Sequence, residues 1–107
     1  MISQEELTKK AQDLASKLGF KVHPLSFTDS EGNQVIGFMR EPTRQAKLSA
    51  MDDMMKSPTQ AGETILNACL LVDHSDAKIL NDDDVYVSAT MDCLSILKIY
   101  QNDLKKK

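Results

Sequence analysis

Two histidines, two cysteines and a run of aspartates are the residues of this 107-residue sequence whose types suit chemistry. His74 stands in Asp73-His74-Ser75-Asp76, and Asp82, Asp83 and Asp84 follow shortly after. Carboxylates and an imidazole so close together are donors a divalent cation accepts. Their spacing argues against such a site. The stretch lacks the turn glycine and alternating ligands of a calcium loop, and no histidine pair lies one turn apart on a helix. The stronger reading puts Asp82, Asp83 and Asp84 at a helix N-terminus, where each negative charge is favoured by about 0.3–1 kcal/mol. Cys69 and Cys93 lie in apolar helical patterns, the setting of reduced, packed thiols, with no base or oxyanion site beside them in sequence. His23 precedes Pro24 in a strand-like run and reads as a half-exposed strand residue. Gly19, Gly32, Gly37 and Gly62 are too scattered to form a phosphate-cradling loop. These residues point to a non-enzymatic protein with no cofactor and no metal ion. A metal-dependent hydrolase using Asp73, His74, Asp76 and the later aspartates is the remaining chemical alternative.

The elements that position these residues follow from periodicity. Ser3 and Glu6 have capping-box spacing and open a helix to Leu18, with Leu7, Ala11, Leu14, Ala15 and Leu18 on one face and Gly19 as its stop. Two strands, about Phe20 to Phe27 and Gln34 to Arg40, flank the turn formers Asp29 to Asn33, so a β-hairpin is expected. Pro24 places the first strand at an edge or bulge, and Gly37 weakens the second or admits a close neighbour. A lone hairpin is marginal in water, so it must lie on a helix or pair with another subunit.

The rest reads as helical. Glu41-Pro42-Thr43 opens a helix to about Lys56, with Pro42 in its first turn. Ser57 and Gln60 have capping-box spacing around Pro58 and open the next helix, which carries Ala61, Ile65, Leu66, Ala68, Cys69 and Val72 into the core. A polar loop spans Asp73 to Leu80. The last helix runs from about Asn81 to Leu104, with Val85, Ala89, Leu94, Leu97 and Tyr100 as its apolar set and Ile96 beside them. The fold expected is α+β and mainly helical: a small helical bundle with one β-hairpin, order α-β-β-α-α-α, in a single domain over 1–107.

Composition narrows the partners. A net charge of −3 disfavours nucleic acid, and aromatics at 5% with no tryptophan give no base-stacking surface. The run Lys105-Lys106-Lys107 reads as a solvated tail. The N-terminus is polar where a signal peptide is apolar, and no apolar run is long enough to cross a bilayer, so a cytoplasmic protein is expected, with no membrane partner. Six methionines are present, and Met51, Met54 and Met55 cluster in one helix with Leu48 a turn earlier. Unbranched thioethers adapt to varied apolar partners, although core packing is the commoner use. Asp52 and Asp53 between them would form an acidic rim facing a basic amphipathic segment. Arg44, flanking Pro42 with Arg40, is expected to pair with an acidic group of the fold or of a partner.

The segment Gly37-Phe38-Met39-Arg40-Glu41-Pro42-Thr43-Arg44 resembles the strand-to-helix motif of phage tail assembly chaperones, of the type encoded between tail tube and tape measure genes. Ser57-Pro58 with Ala61-Gly62-Glu63 and Ile65 to Leu71 is similar to that family's helix after a small-residue and proline turn. Asp73 to Leu80 resembles its loop, and Asp82-Asp83-Asp84 precedes its last helix. The similarity runs from about Phe20 to Tyr100 through the order of several short motifs. It implies a non-enzymatic chaperone that binds the tape measure protein, helps recruit tail tube subunits, acts in the bacterial host cytoplasm and is absent from the finished virion. Self-association into a homo-oligomer through the hairpin edge fits such a role. The alternative within the binding class is a small cytosolic adaptor or secretion-type chaperone with another protein client.

Overall fold

The computed structural model describes residues 2–96. The elements are α1 (Gln4–Leu18), β1 (Val22–Thr28), β2 (Gln34–Arg40), α2 (Arg44–Met54), α3 (Pro58–Cys69), a 3-10 turn (Val72–His74), a short helix α4 (Lys78–Asn81) and α5 (Asp83–Ile96). The order α-β-β-α-α-α is as expected, except that the short α4 forms at the end of the expected polar loop, ahead of the last helix α5.

Local chemistry sets most boundaries. The Ser3 hydroxyl accepts from the Glu6 amide, and Gly19 closes α1 at φ 83°, its amide donating to the Ala15 carbonyl. A side chain at Gly19 would be strained in that left-handed conformation. In the hairpin turn, the Asp29 carboxylate accepts from the amides of Glu31 and Asn33, and Gly32 supplies φ 84°. β1 and β2 pair antiparallel in the register Val22↔Arg40 to Thr28↔Gln34. Thr43 caps α2 by accepting from the Ala46 amide, so Pro42 lies before the helix and is buried, outside the expected first turn. Pro58 opens α3 as expected, but Ser57 makes no capping bond. Gln60 instead donates to Asp53 of α2, which also accepts the Thr64 hydroxyl across the same interface.

Alternation sends the two hairpin faces in opposite directions. One face, with Leu25, Val35 and Met39, packs on Ala50, Ile65, Leu66, Cys69, Ile79, Ala89 and Cys93 of the helices. The other, with Val22 and Phe38, packs on Leu7 and Ala11 of α1, and Phe20, Ile36 and Leu71 adjoin it. The hairpin is therefore a sheet between α1 and the bundle. The predicted polar loop Asp73 to Leu80 is partly core: Ile79 of α4 is fully buried and comes against Gly37, where a Cβ would stand 2.1 Å from Ile79 Cδ1. Gly62 does the same for α3 and α5, since a Cβ there would stand 2.5 Å from the Thr90 carbonyl oxygen. Two expected core residues are outside. Ala68 is exposed, and Val72 is 63% exposed because α3 ends at Cys69 and the chain turns away. Leu97, Tyr100, Leu104 and the lysine tail lie outside the described residues.

Tertiary polar contacts secure these layers. Lys78 Nζ donates to Asp29 Oδ2 at 2.8 Å, tying α4 to the hairpin turn. The Asp29 carboxyl is held down at about 2, chiefly by that bond and by the turn amides. His23 hydrogen-bonds Glu41, joining β1 to the segment that leads into α2. Burial pushes the Glu41 carboxyl up, but the His23 bond and charge outweigh it and the net shift is downward.

Candidate protein-binding surface

α2 is amphipathic in an unusual sense, because its outward stripe is also apolar. Arg44, Leu48, Met51 and Met55 recur at i, i+4, i+7 and i+11, one face of a helix and its C-terminal cap. Leu48 is 56% exposed, Met51 43% and Met55 89%. Met54 points to the other side, is half-buried and packs against the core. Asp52 is exposed on the flank of the stripe, whereas Asp53 faces α3 and holds Gln60 and Thr64. The residues expected to act together thus divide. Leu48, Met51 and Met55 share a surface, Asp52 borders it, and Met54 and Asp53 fasten α2 to the domain.

Arg44 is exposed at the first residue of α2 and makes no ion pair among the described residues. The expectation that it pairs within the fold is not met there. Its neighbour Lys47 instead approaches Glu41 Oε1 at 3.8 Å. A cation at a helix N-terminus opposes the helix dipole by a few tenths of a kcal/mol, so this arginine does not serve the helix.

The chemical candidates resolve differently. Asp76 Oδ1 accepts the Lys78 amide just before α4, and Asp82 Oδ1 accepts the amides of Asp84 and Val85 at the start of α5, so backbone amides engage both carboxylates. Among the described residues, no group of three or more His, Cys, Asp or Glu side chains is arranged to hold a metal ion. Cys69 and Cys93 are free and buried. Cys93 Sγ lies 3.4 Å from Met39 Sδ, and burial first, then nearby Cys69 and Asp92, pushes its thiol up to about 12. Burial also raises the Cys69 thiol. Neither is poised as a nucleophile at neutral pH.

The hairpin edges are unequal. The Leu71 and Asp76 amides donate to the carbonyls of Phe38 and Ile36, and the Ser75 hydroxyl accepts the Phe38 amide, so the outer edge of β2 is occupied. The outer edge of β1 is unpaired among the described residues. The Glu41–Lys21 and Asp29–Asn33 backbone bonds set the alternation, which turns the Pro24 nitrogen outward, where its missing hydrogen removes no ladder bond.

Two surface features carried little signal in the sequence. One is a groove between α3 and α5, lined by Thr59, Glu63, Tyr86, Val87, Thr90 and Met91. Its exposed Val87 and Met91 lie at i, i+4 and resemble core positions of an amphipathic helix until the packing direction is known. The other is a depression between the end of α1 and the segment after α3, lined by Leu18, Phe20, Leu70, Leu71, Val72, Asp73 and His74. No helix among the described residues is long and apolar enough to cross a membrane. Compared with known proteins, the chain matches no family model, no curated protein and no solved structure.

Proposed function

We propose that this protein is a non-enzymatic tail assembly chaperone of a phage or prophage, which binds the tape measure protein in the host cytoplasm and helps recruit tail tube subunits. The observation that carries the reading is the exposed stripe Leu48, Met51 and Met55 on an otherwise ordered helix. Large apolar side chains left in water on one face are unfavourable unless a partner covers them. Methionine suits a partner whose apolar stripe is long and irregular, as a tape measure helix is. Many copies along one such helix would add weak contacts into firm retention. The motif order around Gly37 to Arg44 and Ser57 to Leu71 supports the same reading.

Arg44, at the end of the stripe, would meet an acidic side chain of the client. Homo-oligomerisation belongs to this proposal too, and β1 rather than β2 offers the edge for it. A small adaptor with another client uses the same surface, so the test must involve the tape measure itself. The tape measure protein that this reading requires in the same genome is produced with and without the chain. Chaperoning predicts that it becomes soluble and co-purifies only when the chain is present. Equal solubility in both cases would reject the reading in favour of another client.

A further inference from the structure

The groove between α3 and α5 differs from the α2 stripe in charge, and that difference names its occupant. The helices touch where Gly62 meets the Thr90 carbonyl, and beside this contact lies an apolar groove of ≈ 190 Å³. Val87 and Met91 on its rim are 60% and 59% exposed. One wall is fixed: the Tyr86 hydroxyl donates to Glu63 Oε2 at 2.7 Å and accepts from Asn67 Nδ2 at 3.5 Å. A wall already held in place loses little freedom when a partner docks.

Glu63 lines the groove and Asp83 stands one turn before Val87, whereas Asp84 lines a separate depression against the hairpin turn and Asp92 lies on the other side of α5. Over Pro58–Cys69 and Asp83–Ile96 there is no lysine or arginine. By contrast, α2 and its C-terminal turn mix Arg44, Lys47 and Lys56 with Asp52 and Asp53. We infer that the α3–α5 groove is a docking site for a basic amphipathic helix of a partner protein, separate from the α2 stripe. The partner places one or two large apolar side chains against Val87, Met91 and the Tyr86 ring. Its lysines and arginines flank them and face Glu63 of α3 and Asp83, one turn before Val87 on α5. A second copy of this chain is the poorer occupant for a two-fold contact through this groove, because it would bring Glu63 and Asp83 of both copies together with no lysine or arginine of α3 or α5 between them.

The inference does not rest on the tail-assembly reading, and a synthetic probe tests it alone. The probe is a fluorescent amphipathic peptide of leucine and lysine, with a leucine and glutamate peptide of the same pattern as control. Binding to the full chain is read by anisotropy at low and high salt. The leucine and lysine peptide is expected to bind, more weakly at high salt, and the glutamate peptide not to bind. Val87→Lys with Met91→Lys should weaken binding about tenfold or more. Val72→Lys with Leu80→Lys adds the same charge at other exposed apolar positions and should change it far less. Circular dichroism checks folding, and if the Lys pair unfolds the chain, Val87→Ser with Met91→Ser replaces it and should weaken binding likewise. Equal loss from both Lys pairs, no loss from either, equal binding of the glutamate peptide, or a homodimer broken by the groove substitutions would each overturn the proposal.

Discussion

Replacing Gly62 by alanine sets two effects of opposite sign against each other, and the structure decides between them. In a helix interior alanine is favoured over glycine by about 0.8–1.0 kcal/mol, so propensity alone predicts stabilisation. The new Cβ, however, would stand 2.5 Å from the Thr90 carbonyl oxygen and 2.8 Å from Thr90 Cγ2. An ordinary carbon–oxygen contact is about 3.3–3.6 Å, so α3 and α5 must separate by most of an ångström. Backbone, unlike a side-chain tip, cannot swing away. Overpacking of this kind costs about 1–3 kcal/mol, and separation would also loosen Ala61, Ile65 and Ala89, all fully buried. The net expectation is destabilisation by about 1 kcal/mol, or a fall in Tm of about 4–8 °C for a domain of this size. Thermal and urea unfolding of Gly62→Ala measure it. A stabilised variant would refute the close α3–α5 crossing, and with it the geometry of the groove beside it.

Other expectations follow from single sites. Gly37→Ala should also destabilise, by forcing the fully buried Ile79 from its position, and Ile79→Val in the same chain should recover part of the loss in a double-mutant cycle. The folded Asp29 pKa of about 2 lies below its ordinary 3.8, so its contribution is present above about pH 4 and fades as pH falls toward 2. Asp29→Asn should therefore be less stable than the parent at pH 7, with the difference shrinking between pH 4 and pH 2, as measured by urea midpoints. Cys69 and Cys93 should resist a thiol reagent in the native protein and react fully in denaturant, and rapid native labelling of both would contradict their burial.

What could be read from the residues alone were the features encoded within a few positions of each other. The Ser3 cap, the Gly19 stop, the turn centred on Gly32 and Pro58 at the start of α3 all depend on local backbone chemistry. Features set by packing direction were not legible. Ala68 and Val72 continue the periodicity of α3, yet the helix ends at Cys69 and leaves both outside. Met51, Met54 and Met55 are alike in type, and only the placement of α2 against α3 turns Met54 inward and Asp53 toward Thr64. Asp73 to Leu80 has the composition of a loop, but one residue, Ile79, fills the space that Gly37 leaves. The Asp29–Lys78 bond joins residues 49 positions apart, which no local pattern records.

The central claim, that the outward face of α2 holds the client, is tested most directly by one double variant, Met51→Asp with Met55→Asp. Both side chains are exposed, so the charges remain in water and circular dichroism and Tm should be close to those of the parent. Co-purification with the tape measure protein should be lost. Were these residues core, the same change would bury unpaired charge and unfold the domain. A folded double variant that retains the client would contradict the account and move the binding surface away from α2.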